Sequence, residues 1–168
     1  MDTTSFLALT LACAPSVHVD TAHALVTVES GLNPWAIGIV GGELHRQPRS
    51  RAEALVTATA LRARGWNFSV GLGQINVGNF ERLGLTLQSA FDACTNLTAM
   101  QTLLLECFNS ARQQGPERTD QKALRRALSC YYSGNFTTGF QHGYVQKVLT
   151  VAASAARTVQ PVQPKEKS

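Results

Sequence analysis

The chain lacks any run of about 20 consecutive apolar residues, which excludes a helical membrane span. It has no CxxC pair, and its four cysteines, at 13, 94, 107 and 130, are too widely spaced to resemble a zinc site. No arginine-rich helix with interleaved aromatics occurs, so nucleic acid is excluded as a partner. Aromatic residues are few, at 7%, and no internal repeat is present. The apolar stretch 5–14 has no basic segment before it, and Asp2 carries the wrong sign for a secretory signal. Leu11-Ala12-Cys13 is a poor lipobox. The stretch is therefore expected to be the first helix or turn of the folded domain, with any export signal outside this sequence.

What is present describes one globular domain. The 168 residues are 44% hydrophobic and 15% charged, enough for a real core. Ala, Leu and Val dominate, which favours helix. The 15 Lys and Arg exceed 11 acids, for a formal charge of +4. That excess fits plain solubility, or a polyanionic partner such as cell wall. Nothing points to an obligate oligomer, and a monomer is expected.

Punctuation and periodicity lay out the elements. Asp20 can cap a helix ending near Ser30 with Gly31 as its stop; Ala22, Leu25, Val26 and Glu29 share its inward face. Gly41-Gly42 marks a hairpin turn, and Ser50 with Glu53 a capping box for a helix that Gly65 ends. Residues 66–79 are glycine-rich and not helical in pattern. Further helices are expected at 79–83, 96–113 with a break at Gly115-Pro116, Thr119 or Asp120 to Gly134, and 140–156. The domain then covers 1–156, and the Pro-containing segment 157–168 is a disordered tail.

The even cysteine count fits two disulfides and an oxidising compartment, with four buried thiols as the alternative. Cys94 and Cys107 stand about 19 Å apart along a continuous helix, too far to pair with each other. Two connectivities survive. Cys107 and Cys130 lie at matching heights on consecutive helices, which favours Cys107–Cys130 with Cys13–Cys94.

Glu29 is the anomaly. It holds an inward position of an apolar face, in the last turn, where the helix dipole is negative. Desolvation and dipole both raise a carboxyl pKa, and a carboxylic acid that keeps its proton near neutrality can serve as a general acid. On position alone, a glutamate turned to solvent at a frayed end is the simpler reading. Gly71-Leu72-Gly73-Gln74-Ile75-Asn76 places two amides in a glycine-permitted turn, suited to sugar hydroxyls and acetamido groups, although an ordinary turn reads the same. Tyr131 lies on an apolar face and needs a buried partner for its hydroxyl; a buried carboxyl would serve, as would plain core packing.

Glu29-Ser30, then Gly71-Leu72-Gly73-Gln74-Ile75-Asn76, then Tyr131-Tyr132-Ser133-Gly134-Asn135 resemble three ordered motifs of the lytic transglycosylase domain, which shares the goose-type lysozyme fold. Cys13-Ala14-Pro15, Asn33-Pro34-Trp35-Ala36-Ile37-Gly38, Phe91-Asp92-Ala93-Cys94-Thr95-Asn96 and Gly143-Tyr144-Val145-Gln146-Lys147-Val148 resemble the branch attached to type IV secretion and conjugation machines. The resemblance covers residues 10–150. It implies an α+β, predominantly α-helical, lysozyme-like domain with a small hairpin or loop insertion. It also implies Glu29 as the catalytic acid/base, and Ser30, Gln74, Ile75, Asn76, Tyr131, Tyr132 and Asn135 as substrate-binding residues, Tyr131 bonding near the glutamate. Relatives in that branch resemble this chain in carrying one cysteine before the catalytic helix and one after the glycine-glutamine motif, which supports Cys13–Cys94. Two positions depart from the pattern: Gly73 stands where methionine is frequent, and Tyr132 where asparagine is usual.

The implied substrate is the glycan strand of peptidoglycan in the periplasm, with other components of a secretion machine as possible partners and no metal or cofactor. Many glycosidases use two carboxylates. Here Asp20, Glu43, Glu81 and Asp92 offer no obvious second acid, which fits a one-carboxylate, substrate-assisted route. A water-using muramidase would need Glu43 or Asp92 as its base. A non-catalytic wall-binding scaffold would have no use for an inward acid.

Overall fold

A computed structural model describes residues 1–114 and 119–158. The first helix, α1 (Thr3–Cys13), is capped by Asp2, whose carboxylate accepts from the Ser5 N–H at 2.9 Å. One face of it, Phe6, Thr10 and Cys13, is buried while Leu11 is 67% exposed, so the apolar stretch 5–14 is a helix with one face in the core. The second, α2 (Val19–Ser30), presents Ala22, Leu25 and Val26 at 0% exposure, as the i, i+3, i+4 pattern requires. Gly31 ends it in the left-handed region at φ 60°, where a Cβ would be strained. The cap is His18 rather than Asp20: its ring accepts from the Asp20 N–H at 3.3 Å, and the helix opens two residues earlier, at Val19.

Three short strands, β1 (Ile37–Ile39), β2 (Phe68–Val70) and β3 (Ile75–Asn76), form an antiparallel sheet in that order. The period-two pleat sends Phe68 and Val70 into the core, while the row Gly38–Ser69–Asn76 occupies the opposite face. Gly41-Gly42 makes a tight turn with one bridge, Ile39 to Gly42, but no hairpin. The partner of β1 is β2, with Gly38 opposite Ser69, because residues after the turn lead into α3 (Arg51–Ala63). Only half of the expected capping box forms there. Ser50 Oγ accepts from the Glu53 N–H at 3.2 Å, whereas the Glu53 carboxylate is taken by the Arg49 N–H and by Arg46.

After β3 come α4 (Phe80–Leu83) and α5 (Leu87–Ala90), then the longest helix, α6 (Ala93–Gln114). Packed against α6 is α7 (Asp120–Ser133), which Gly134 stops at φ 75°. The expected break at Gly115-Pro116 lies outside the described residues. In place of one last helix there are two, α8 (Thr138–Gln141) and α9 (Tyr144–Thr158), split at Gly143, whose φ is 72°. The tail expected from 157 lies outside the described residues apart from two positions, where α9 continues. Both favoured disulfides are present. Cys13–Cys94 ties the end of α1 to the start of α6, and Cys107–Cys130 joins α6 to α7. Among the described residues no helix is long and apolar enough to cross a membrane.

The result is an α+β, mostly helical domain. The core is one cluster in which α2 is covered by α1 on one side and α9 on another. That wrapping brings the first turn of α9 against the last turn of α2, where Glu29 sits.

Candidate active site

A cleft of about 420 Å3 opens between the sheet and the ends of α2 and α7. Glu29 lies in its wall, half-buried, and is the only acid among the described residues that line it. Burial among apolar neighbours pushes its carboxyl from 4.5 up to about 7. Tyr144 opposes that rise by donating its hydroxyl to Glu29 Oε1, and the Lys147 charge opposes it more weakly. With Oε1 accepting from Tyr144, Oε2 is the oxygen left to carry the proton. The tyrosine stays protonated, since burial and the neighbouring Glu29 charge both raise its own pKa.

Tyr144 therefore fills the role expected of Tyr131. The Tyr131 hydroxyl instead donates to the Gly73 carbonyl at 2.6 Å, so this tyrosine holds the glycine loop and bonds no carboxyl. Its pKa is also raised, by burial first and by Glu29 second. Tyr132 stacks on Tyr144 with centroids 4.5 Å apart and bonds His142 through its hydroxyl at 3.2 Å. A glutamate packed against Tyr144, which in turn lies under Tyr132, is thus oriented from one side and open on the other.

The glycine loop supplies the facing wall. Gln74 adopts φ 49°, a region costly for a side-chain-bearing residue, of the order of 1 kcal/mol. Its amide nitrogen donates to the carbonyls of Ala36 (3.2 Å) and Gly71 (3.0 Å), which fixes that turn. Gly38 lies opposite it, and a Cβ there would stand 2.6 Å from Gln74 Oε1 and displace the amide from this position. Asn76 is similarly engaged, donating to Asn67 Oδ1 at 2.8 Å and accepting from the Gly78 N–H at 2.9 Å. Both amides line the cleft, but their donor groups hold the loop.

Five of the expected residues, Glu29, Gln74, Asn76, Tyr131 and Tyr132, converge on the cleft. Three do not line it. Ser30 turns its hydroxyl back to the Val26 carbonyl at 3.1 Å, as a serine in a last helical turn readily does. Ile75 points into the core at 0% exposure, on the pleat face opposite to Asn76. Asn135 caps α8, accepting from the N–H groups of Thr137 and Thr138 at 3.0 and 2.8 Å. Neither Glu43 nor Asp92 lines the cleft; Asp92 accepts from the Thr95 N–H at 2.9 Å at the start of α6, and its pKa is lowered by that bond. Among the described residues no three metal-ligating side chains converge.

Several contributors escaped the sequence reading. Ser69 and Asn79 line the cleft; the alternation of β2 would have flagged Ser69 had that strand been identified. Asn96, 1% exposed, clamps the loop from α6. Its amide donates to the Val70 and Ala90 carbonyls at 3.0 and 2.8 Å, and its oxygen accepts from the Gly73 N–H at 2.8 Å.

Residues 6–151 match the Transglycosylase SLT domain. The chain is 49% identical over 162 residues to the Type IV secretion system protein virB1 of Brucella suis, covering 94% of this chain and 66% of that one. It is 44% identical over 146 residues to Protein virB1 of Rhizobium radiobacter, covering 84% and 58%. With Protein virB1 of Agrobacterium fabrum it shares 40% over 161 residues, covering 92% and 63%. The chain thus spans just under two thirds of the length of these curated relatives. No solved structure matches it. A match that enters in α1 and ends inside α9 takes in the whole wall around Glu29, and the chain belongs to the transglycosylase SLT domain family.

Proposed function

We propose that the protein is a peptidoglycan lytic transglycosylase that cleaves the β-1,4 bond between N-acetylmuramic acid and N-acetylglucosamine. The observation that carries this reading is a carboxyl that is alone in the cleft among the described residues, desolvated enough to hold its proton near neutral pH. Glu29 Oε2 donates that proton to the glycosidic oxygen as the bond to the muramic C1 breaks. The oxocarbenium-like centre is held by the sugar's own acetamido oxygen, so no second carboxylate is needed. Glu29, now the base, takes the proton from the muramic C6 hydroxyl as that oxygen closes on C1. The products are a 1,6-anhydromuramic end and a free N-acetylglucosamine end, and no water is consumed. The Tyr144 hydroxyl, donating to Oε1, holds the carboxyl in place for both proton transfers.

The two disulfides fit an exported protein acting in the oxidising periplasm. Its Brucella relatives are named as a type IV secretion system protein, which together with this cleavage supports a role in opening the wall locally for such a machine, with other components of that machine as partners. The test is digestion of purified peptidoglycan by the protein and by Glu29→Gln, with mass spectrometry of the soluble products. Products one water lighter than hydrolytic ones, absent with the variant, are expected. Ordinary reducing ends would replace the reading with a hydrolysing muramidase. No release by a folded parent would favour a binding role.

A further inference from the structure

Glu29 and Tyr132 also line a second, adjoining cleft of about 280 Å3, whose other walls include His142, Tyr144 and Lys147. The two clefts differ in charge. Among the described residues the first has no cationic side chain in its lining, whereas the second has Lys147 on the first turn of α9. Lys147 is exposed, and among the described residues it has no ion-pair partner. Its position is unhelpful to Glu29 as an acid, because its charge favours loss of the Glu29 proton. A role toward the substrate accounts for it better. A muramic residue cleaved beside Glu29 carries a peptide stem on its lactyl group, and that stem bears carboxylates.

We propose that this second cleft takes the peptide stem of the muramic residue held at Glu29, with Lys147 pairing a stem carboxylate. The assignment rests on the transglycosylase reading and adds a substrate preference to it: peptide-bearing strands over bare glycan. Pairing also screens the Lys147 charge from Glu29 when substrate is bound, so the acid keeps its proton until the bond breaks.

The experiment compares soluble, uncrosslinked glycan strands with intact stems against the same strands stripped by an amidase. Anhydro ends are counted for the full chain and for Lys147→Met, whose exposed position leaves the fold intact by thermal melting. On peptide-bearing strands the variant is expected to lose about fivefold in kcat/KM, through KM, the effect of removing one exposed ion pair. That loss should shrink in high salt and be clearly smaller on stripped strands. Stripping turns the lactyl amide into a carboxylate, so that carboxyl is amidated on the stripped strands; an equal loss on both substrates then overturns the proposal and assigns Lys147 to Glu29 or to the glycan. An unchanged kcat/KM on both also overturns it, with the transglycosylase reading intact. A folded parent that cleaves neither substrate removes both readings together.

Discussion

Replacing Glu29 with glutamine should abolish turnover and, above neutral pH, make the protein more stable. The raised pKa means that the folded state binds the Glu29 proton more tightly than the unfolded chain does. Below pH 4.5 the group is protonated in both states, and its contribution is fully present. As pH rises through about 7 the folded protein must bury a charge, and that contribution is lost. The rise from 4.5 to about 7 corresponds to roughly 3 kcal/mol by linkage. The cleft admits water to one edge of the carboxyl, so this figure is a ceiling. Glutamine has the same shape, accepts from Tyr144 through its amide oxygen, and never ionises. Parent and variant should therefore melt together near pH 4.5, while the variant gains up to about 10 °C near pH 8.5. Asp2, Glu53 and Asp92, whose pKa values are lowered, titrate alike in both proteins and cancel in the difference. Differential scanning calorimetry across that range reads the effect directly. Parallel stability curves for parent and variant would refute the desolvated-acid reasoning, even if activity were lost.

Tyr144→Phe removes the bond that holds the Glu29 pKa down, so the alkaline limb of kcat/KM should move to higher pH while the rate falls about 10- to 100-fold from lost orientation. An unmoved limb in a pH–rate profile would detach Tyr144 from the acid. Asn96→Ala strands the Gly73 N–H and two carbonyls in the core; urea unfolding should show a loss of about 2–4 kcal/mol, and a loss under 1 kcal/mol would mean the clamp is dispensable. Replacing the cysteines in pairs by serine should be ranked by the loop each bond closes. The 81-residue separation of Cys13–Cys94 predicts a loss of about 4.5 kcal/mol, and the 23-residue separation of Cys107–Cys130 about 3.4 kcal/mol. The reverse order in denaturant melts would point to strain or residual structure instead of loop entropy.

The helices were legible in the sequence because their signals are local. An inward apolar stripe, a glycine stop and a capping serine each act within one or two turns, so α2, α3, α6 and α7 came out within a few residues of their bounds. The sheet was not legible. Its strands are two or three residues long, and the pairing of Ile37 with Val70 spans a whole helix, leaving no periodicity to read. The site divides along the same line. Glu29 was singled out by a local pattern, an acid on an apolar face, which is itself the physical cause of its pKa, and the resemblance of the three ordered motifs then decided against the solvent-facing reading. Tyr144 was missed because its importance exists only once α9 folds back on α2, and a hydroxyl that follows a glycine looks like any helix start.

The departure at Gly73 shows how a position can be decided from elsewhere in the chain. A side chain there would place its Cβ 2.9 Å from Met100 Cβ and 3.0 Å from the Tyr131 hydroxyl. Met100, wholly buried on α6, fills the space that a side chain at 73 would need, and the bare backbone lets Tyr131 reach the Gly73 carbonyl. Gly73 thus does more than permit a turn: it makes room for a hydroxyl that ties α7 to the loop. The expectation that Tyr131 serves the glutamate failed for the same reason. Its hydroxyl is committed to that carbonyl, and Tyr144, arriving from α9, is the tyrosine that orients the acid.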